Sequence, residues 1–189
     1  HSPFKYILVD EFQDMSRPRA AFLQELLKQQ PDGKLFAVGD DWQAIYRFGG
    51  ADVSLMIDFE RHFGAGTRTD LGETFRAVPP STELATRFIT KNPNQLTKEV
   101  NARRHGEGQR VWAMFGPRCG NGVLGEALRL IAGDPSVRGR QSVVKLLGRY
   151  QKDRPRDLQA LKADFPTLSI EFQTVFKAKG LEADHVVVL

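Results

Sequence analysis

Short apolar runs alternate with helical patterns along the chain. Tyr6–Val9 and residues 35–38 are compact apolar runs that end in polar residues, which is typical of buried parallel strands. Between them, apolar residues repeat on one face of a predicted helix that Ser16 can cap and that has Pro18 in its first turn. Alternation of this kind predicts α/β layers with a largely parallel sheet.

The rest of the chain continues the alternation. The pattern predicts strands near Leu71 and at residues 110–115, 142–147, 168–176 and 185–189, and helices at residues 55–63, 79–89, 123–132 and 158–163. Gly64-Ala65-Gly66 is the predicted linker between two parts of the chain. Residues 101–109 are predicted to form an exposed loop.

Composition narrows the class of protein. The chain has 189 residues, of which 41% are hydrophobic and 26% charged, as in ordinary globular domains. It contains no apolar run long enough to span a membrane, and we expect no secretory signal, since no basic-then-apolar segment opens the chain. We expect a piece of a longer protein, since the chain does not begin with Met and its last residues resemble a strand cut short. The single Cys119 and four scattered histidines form no zinc-binding pattern.

Charge is unevenly distributed along the chain. The net charge is +4, with −3 in residues 1–66 and +7 in residues 67–189. An acidic part joined to a basic part suits a motor that binds a metal–nucleotide on one side and a phosphate backbone on the other. Chance surface charge explains the same numbers equally well.

The strongest chemical signal is the pair Asp10-Glu11 after the first apolar run. Ligands bind at the carboxyl ends of the strands in open α/β sheets. Nucleotide hydrolysis needs one carboxylate to hold Mg²⁺ and a second group to orient and deprotonate the attacking water. The residues alone also fit a solvated acidic loop after a core strand.

A second signal follows the next predicted strand. Gly39-Asp40-Asp41 is followed by Gln43, whose amide offers both a donor and an acceptor to a phosphate or a water. Tyr46 and Phe48 then flank Arg47, and interleaved aromatic and basic residues suit base stacking with phosphate contact. The alternative is that these aromatic side chains belong to the core.

Together these signals resemble motifs II and III of UvrD/Rep-like superfamily 1 DNA helicases. The resemblance continues in residues 71–76, which are similar to motif IV, and in residues 174–182, which are similar to motif V. Four ordered motifs span nearly the whole chain. Within the family it looks closest to helicase IV. Thr174 follows Arg76 by only 98 positions, which is too short a distance for the large subdomain inserted there in UvrD and Rep.

The resemblance implies parts of two RecA-like P-loop NTPase domains, with largely parallel sheets flanked by helices. Residues 1–66 would be the carboxyl-terminal part of the first domain, and residues 67–189 most of the second. ATP would bind between the two domains. No G-x-x-x-x-G-K-[ST] sequence occurs in the chain, and the arginine-bearing motif VI would lie beyond Leu189. Both absences are expected of a piece cut inside each domain.

The resemblance also implies a nucleotide site. Asp10 would hold Mg²⁺, Glu11 would be the catalytic base, and Gln43 would sense the γ-phosphate of ATP. Phe75 would stack on adenine, and Arg76 would be an arginine finger. Three further residues would lie near the nucleotide and the domain interface: Lys179, Gly180 and Glu182.

The resemblance implies that the protein moves along single-stranded DNA. Tyr46 and Phe48 would stack on bases, with Arg47 beside them, and Thr174 would contact a DNA phosphate. The chain departs from the family at Phe75, where Tyr is common, and at Phe176, where His is usual. Lys177 replaces a common small Ser and would add a phosphate contact.

The implied function is an ATP-dependent helicase or translocase that moves 3′ to 5′ on single-stranded DNA and acts at single-strand/duplex junctions. The implied setting is the bacterial cytoplasm, close to the nucleoid. One alternative is the motor part of a helicase–nuclease. Another is a helicase-derived module that binds DNA without being an enzyme, although Asp10, Glu11, Gln43 and Arg76 together favour a working motor.

Overall fold

The structure is a computed structural model that describes residues 4–30, 32–103, 111–116, 122–137 and 140–189. The chain divides into two compact units, His1–Val111 and Trp112–Leu189. Both contain small parallel sheets and helices, so the predicted α/β class is confirmed. The predicted boundary between residues 66 and 67 lies inside the first unit and remains a prediction about the two domains of the family.

The first unit begins with two parallel strands joined by a helix. β1 (Tyr6–Val9) pairs with β2 (Lys34–Ala37), and α1 (Arg17–Lys28) connects them. Ser16 takes the extended N-cap conformation before α1 but makes no side-chain cap hydrogen bond. Pro18 lies in the first turn, where a missing N–H costs nothing.

Short elements make up the rest of this unit: α2 (Ser54–Ile57), α3 (Phe59–Phe63), β3 (Glu73–Thr74), α4 (Pro79–Ile89) and β4 (Asn101–Ala102). The helical pattern at 55–63 therefore forms two short helices rather than one. The strand predicted near Leu71 lies at β3, and β3 pairs in parallel with β4. The prediction of a loop at 101–109 was wrong for its first two residues, which form β4. Residues 104–109 lie outside the described ranges.

The core of the first unit is aromatic at its centre. Phe12 is almost fully buried, and the rings of Phe59 and Phe63 pack edge-on against it with centroids 5.5 and 5.6 Å away. Leu23 of α1 and Leu55 of α2 are buried in the same cluster. The turn directly after β1, which contains the predicted catalytic carboxylates, is therefore anchored in the core.

One face of the β1–β2 sheet is uncovered. Ile7 and Leu35 pack against the core, whereas Tyr6, Leu8 and Phe36 on the other face are 64%, 73% and 63% exposed. Parallel sheets are normally covered on both faces. Three large exposed side chains on a parallel sheet are thus unusual for a domain that is complete by itself.

The second unit contains a three-stranded parallel sheet in the order β6-β5-β7. Its elements are α5 (Gly122–Gly133), β5 (Ser142–Gly148), α6 (Leu158–Asp164), β6 (Leu168–Thr174), α7 (Val175–Ala178) and β7 (His185–Val188). β5 is central and almost wholly buried, with Val144 and Leu146 fully covered. Leu128 of α5 and Leu161 of α6 pack against it.

Two strand predictions in this part were wrong. Residues 111–115 form no strand, because the apolar run pairs with no other strand in the described ranges, and Arg110 lies outside them. The strand predicted at 168–176 ends at Thr174, where the chain turns into α7. The other predicted helices and strands of this unit match their observed positions to within one residue, whereas α7 was not predicted.

The described ranges contain no cluster of side chains that would hold a metal ion by itself. No group of three or more His, Cys, Asp or Glu side chains is clustered there as a metal site. Cys119, His1 and His105 lie outside those ranges. No described helix is long and apolar enough to cross a membrane.

Candidate nucleotide and DNA site

The candidate site is built where β1 and β2 end side by side. The N–H of Val38 donates to the carbonyl of Val9 (2.9 Å), and the N–H of Phe12 donates to the carbonyl of Val38 (2.9 Å). These bonds extend the ladder beyond the strands and bring the turn after β1 against the loop after β2. The carboxyl ends of two parallel strands thus present motifs II and III at one edge of the sheet, as ligand sites in α/β folds require.

Asp10 and Glu11 lie on the exposed side of this edge. The N–H of Glu11 donates to Asp10 Oδ1 (2.8 Å). Glu11 has φ 50° and ψ 43°, the left-handed conformation, and it is the one non-glycine residue with positive φ in the described ranges. Such a conformation costs a long side chain on the order of 1–2 kcal/mol. Strain of this kind concentrates at functional sites.

Gln13 joins the two motifs. Its side chain is buried, its Nε2 donates to Glu11 Oε2, and its Oε1 accepts from the N–H of Asp40 (2.9 Å). A buried amide satisfied at both ends holds its partners in a defined arrangement. The sequence motifs predicted no role for Gln13, although its place in the acidic segment and its amide chemistry are the signals that point to one.

Gly39 permits the close approach of the two motifs. A Cβ atom at this position would lie 2.7 Å from Gln13 Oε1 and 3.1 Å from the backbone nitrogens of Phe12 and Gln13. A larger residue would have to displace the Gln13 amide and push the backbone of the turn by a few tenths of an ångström. The glycine at the end of the second apolar run therefore lets the loop after β2 lie directly against the turn after β1.

Asp40 organises the loop after β2. Its Oδ1 accepts from the N–H of Trp42 (3.1 Å), and its Oδ2 accepts from Gln43 Nε2 (2.7 Å). Burial pushes the pKa of Asp40 upward, but hydrogen bonds from Lys98, Gln43 and Trp42 and the charge of Lys98 outweigh it, so that this pKa lies below its ordinary value. The carboxylate is thus ionised and orients the exposed amide of Gln43.

Asp41 is completely buried and is held by a distant segment. Its Oδ2 accepts from the N–H of Leu96 (2.8 Å), and its Oδ1 accepts from Lys98 Nζ (2.7 Å). The indole Nε1 of Trp42 donates to the carbonyl of Leu96 (3.1 Å). Residues 96–98 are therefore part of the site, although no sequence motif placed them there.

The far end of the same loop is also anchored to the turn after β1. The N–H of Asp52 donates to the carbonyl of Met15 (2.8 Å), and Asp52 Oδ2 accepts from Arg17 Nε (2.7 Å). Ser54 donates to Asp52 Oδ1 from both its N–H and its hydroxyl, and with Arg17 it holds the pKa of Asp52 below the usual value. The loop carrying the aromatic pair is fixed at both ends.

Tyr46 and Phe48 lie close together on this loop. Their ring centroids are 6.0 Å apart, Phe48 is 72% exposed, and Tyr46 is half-buried. Arg47 between them is exposed. Phe48 is therefore not a core residue, and its ring is accessible to a planar ligand such as a base.

Phe75 and Arg76 follow β3 in the turn before α4, and both are exposed. They belong to the same compact unit as Asp10, Glu11 and Gln43. Glu73 just before them forms an ion pair with Arg103, which ties β3 to the residue after β4. A short paired strand thus supports the turn that carries the predicted arginine finger.

The motif V residues lie in the second unit, at the carboxyl end of β6. Thr174 is buried, pairs with Gly148 of β5 and directly precedes α7, whereas Lys177 on α7 is exposed. Lys179 is half-buried, Gly180 has φ 79°, and Glu182 is exposed. A positive φ favours glycine at the turn after α7.

The first unit has the donor set expected for a magnesium–nucleotide site. Mg²⁺ in such sites takes one or two carboxylates and completes its shell with water and substrate phosphates. Asp10 is exposed at the strand end, where it meets this requirement, and Glu11 lies next to it. The residues present therefore fit the ion.

Comparison with known proteins identifies the family of the chain. Residues 1–64 match the family described as the UvrD/REP helicase N-terminal domain. The chain belongs to the UvrD/Rep-like DNA helicase family.

Similarity extends over the whole chain to DNA helicase IV of Escherichia coli, with 42% identity over 188 residues. This covers 100% of the chain but 26% of that relative, so the chain spans about a quarter of its length. DNA helicase II of Rickettsia typhi is 33% identical over 97 residues, 51% of the chain and 14% of the relative. One subunit of the ATP-dependent helicase/nuclease of Staphylococcus carnosus is 42% identical over 81 residues, 40% of the chain and 7% of the relative.

Proposed function

We propose that the chain is the central part of an ATP-dependent DNA motor that moves on single-stranded DNA. The observation that carries this proposal is the hydrogen-bond chain from Glu11 through Gln13 to Asp40 and on to Gln43. Glu11, the predicted base, and Gln43, the predicted phosphate sensor, are thus linked through the buried amide of Gln13 and the carboxylate of Asp40. A solvated acidic loop has no need of such an arrangement.

Each predicted nucleotide residue has a proposed role. Asp10 holds Mg²⁺, Glu11 deprotonates the attacking water, and Gln43 contacts the terminal phosphate. Phe75 stacks on the adenine ring, and Arg76 stabilises charge on the transferring phosphoryl group. Lys179, Gly180 and Glu182 complete the nucleotide side in the second RecA-like domain, residues 67–189, with residues 1–66 contributing the first.

The DNA side of the motor uses the loop after β2 and the end of β6. Tyr46 and Phe48 stack on bases, and Arg47 and Lys177 contact phosphates, as does the hydroxyl of Thr174. We propose movement in the 3′ to 5′ direction and action at single-strand/duplex junctions, as the resemblance implies. Closure of the two domains around ATP and their reopening after hydrolysis advance the motor.

The motor needs parts that this chain does not contain. A longer protein must supply a P-loop, because its lysine and backbone N–H groups hold the β- and γ-phosphates. The exposed face with Tyr6, Leu8 and Phe36 supports this, since additional strands and helices of the same domain would cover it. The proposal therefore concerns the longer protein, of which this chain carries motifs II to V.

A comparison of two proteins tests the proposed function. We expect the longer protein to hydrolyse ATP in a manner stimulated by single-stranded DNA and to displace a strand from a duplex with a 3′ tail. We expect the purified 189-residue chain to release no phosphate from ATP, with or without DNA. DNA-stimulated turnover by the chain alone would contradict the need for a P-loop, and a longer protein without DNA-stimulated turnover would overturn the motor.

Alanine at Tyr46 or Phe48 tests the DNA side. Each change should weaken single-strand binding by about 1–3 kcal/mol, since a stacking surface is lost. The dependence of binding on salt should stay nearly unchanged, because no phosphate contact is removed. Fluorescence anisotropy with labelled oligonucleotides at several salt concentrations measures both quantities.

Phe22→Ala is a matched control for the aromatic pair, because Phe22 is 65% exposed and belongs to α1 rather than to this loop. It should leave DNA binding unchanged. If Tyr46→Ala lowers the unfolding temperature without a selective DNA defect, Tyr46 is a core residue and its stacking role is wrong.

The second candidate function is the motor part of a helicase–nuclease, favoured by the similarity to part of a helicase/nuclease. The longer protein would then also cleave DNA in a metal-dependent reaction that survives Glu11→Gln. A helicase without a nuclease would unwind DNA and leave its strands intact.

A further inference from the structure

Residues 96–98 form a contact with motif III that the proposed roles do not use. Lys98 Nζ donates to Asp40 Oδ1 (2.5 Å) and to Asp41 Oδ1 (2.7 Å), and it lies 4.8 Å from the centroid of the Trp42 ring. The Leu96 backbone accepts from Trp42 and donates to Asp41. We call this set of contacts the Lys98 latch.

The latch is more than a surface ion pair. Asp41 has no exposed side-chain surface, and Lys98 retains 18% of its own. Exposed pairs contribute little because water competes with them, whereas removing one partner of a buried pair leaves an uncompensated charge. The ammonium group is held by two carboxylates and an aromatic face, and Leu96 fixes the backbone beside it.

Asp40 carries the effect of the latch to the candidate site. One of its oxygens accepts from Lys98, and the other accepts from Gln43. Its N–H donates to Gln13, which in turn donates to Glu11. Lys98 is therefore one hydrogen-bonded residue away from Gln43 and two away from Glu11.

We propose that Lys98 is a positioning residue of the motor, which acts through Asp40 to orient the amide of Gln43 towards the nucleotide. This inference rests on the proposed function, since it takes Gln43 as the phosphate sensor. Residues 67–189 are predicted to be the second RecA-like domain. Lys98 and the loop after β2 nevertheless belong to the same compact unit, so the latch is a contact within that unit.

Three variants of the longer protein test the inference. Lys98→Met removes the charge but keeps the length of the side chain, Lys98→Arg keeps the charge, and Lys91→Met is a control on an exposed lysine of the same segment. We expect Lys98→Met to lower kcat for DNA-stimulated ATP hydrolysis at least about tenfold, because misplaced catalytic groups typically cost about 10- to 100-fold. The KM for ATP and the affinity for DNA without nucleotide should change less than about twofold. Lys98→Arg should restore most of kcat, and Lys91→Met should match the wild type.

A double variant separates positioning from a purely structural role. In a Gln43→Ala background, Lys98→Met should have little further effect, because the group that it positions is already gone. If the two effects multiply, or if Lys98→Met lowers only the fraction of folded protein and leaves the kcat of the folded molecules unchanged, the latch is structural and the inference is wrong.

A titration of Asp40 tests the inference separately from the proposed function. In the 189-residue chain, Lys98→Met should raise the pKa of Asp40 in a carbon-13 NMR titration, whatever the chain does with ATP. An unchanged pKa would show that the latch does not form, which overturns the inference alone. If the latch forms but the Gln43→Ala variant hydrolyses ATP normally, Gln43 is not the phosphate sensor. That result would overturn both the proposed role of Gln43 and the inference about Lys98.

Discussion

Replacing Arg76 with alanine should lower DNA-stimulated ATP hydrolysis in the longer protein by about 10³- to 10⁵-fold, the usual contribution of an arginine finger. The guanidinium group is planar, carries its charge at any working pH and can meet two phosphate oxygens at once. Arg76 is exposed in the turn after β3. A phosphate-release assay with and without single-stranded DNA measures the loss.

Two further variants identify the cause of the loss at Arg76. Arg76→Lys should recover little activity, because a point charge does not reproduce the planar fork. Arg87→Ala is the matched control, since Arg87 on α4 forms an exposed ion pair with Glu83. DNA binding without nucleotide and the unfolding temperature should be unchanged in all three. If Arg76→Ala hydrolyses ATP within a few-fold of wild type, the finger assignment fails, and so does placement of ATP between residues 1–66 and 67–189.

Glu11→Gln should reduce turnover in the longer protein by about 10²- to 10⁴-fold, because general-base catalysis is lost while the size of the side chain is kept. ATP binding should survive, since the proposed metal ligand Asp10 is unaltered. A fluorescent-nucleotide titration measures binding, and single-turnover hydrolysis measures the chemical step.

Glu25→Gln is the control for this change. Glu25 lies on α1, is exposed and pairs with Lys28, so its charge can be removed without touching the candidate site. Near wild-type turnover by Glu11→Gln would show that Glu11 is not the base. Equal losses in both variants would point to net charge rather than to the site.

The elements that the sequence predicted well are those whose apolar pattern agrees with their pairing. Tyr6–Val9 and residues 142–147 are compact apolar runs, and both pair with parallel neighbours. Residues 111–115 have a similar apolar character but no strand partner in the described ranges. A strand is defined by hydrogen bonds to a neighbour, which periodicity within one segment cannot supply.

The same distinction applies to the candidate site. Asp10, Glu11, Gln43 and the aromatic pair could be proposed because each motif is contiguous and its chemistry can be read from adjacent residues. Lys98 could not, because 57 positions separate it from Asp41 and its own segment has no chemical signature. Only the folded chain brings its ammonium group to a buried carboxylate.

At Glu11, the left-handed backbone and the side chain favour different residues. Glycine adopts positive φ without steric cost, so Glu11→Gly would relieve the strain, but it would also take away the acceptor of the buried Gln13 amide and give the unfolded chain more freedom. The same change would remove the proposed base. The turn at residue 11 therefore carries backbone strain that glycine would avoid, and only a residue with a carboxylate can make the contact with Gln13 and serve as the proposed base.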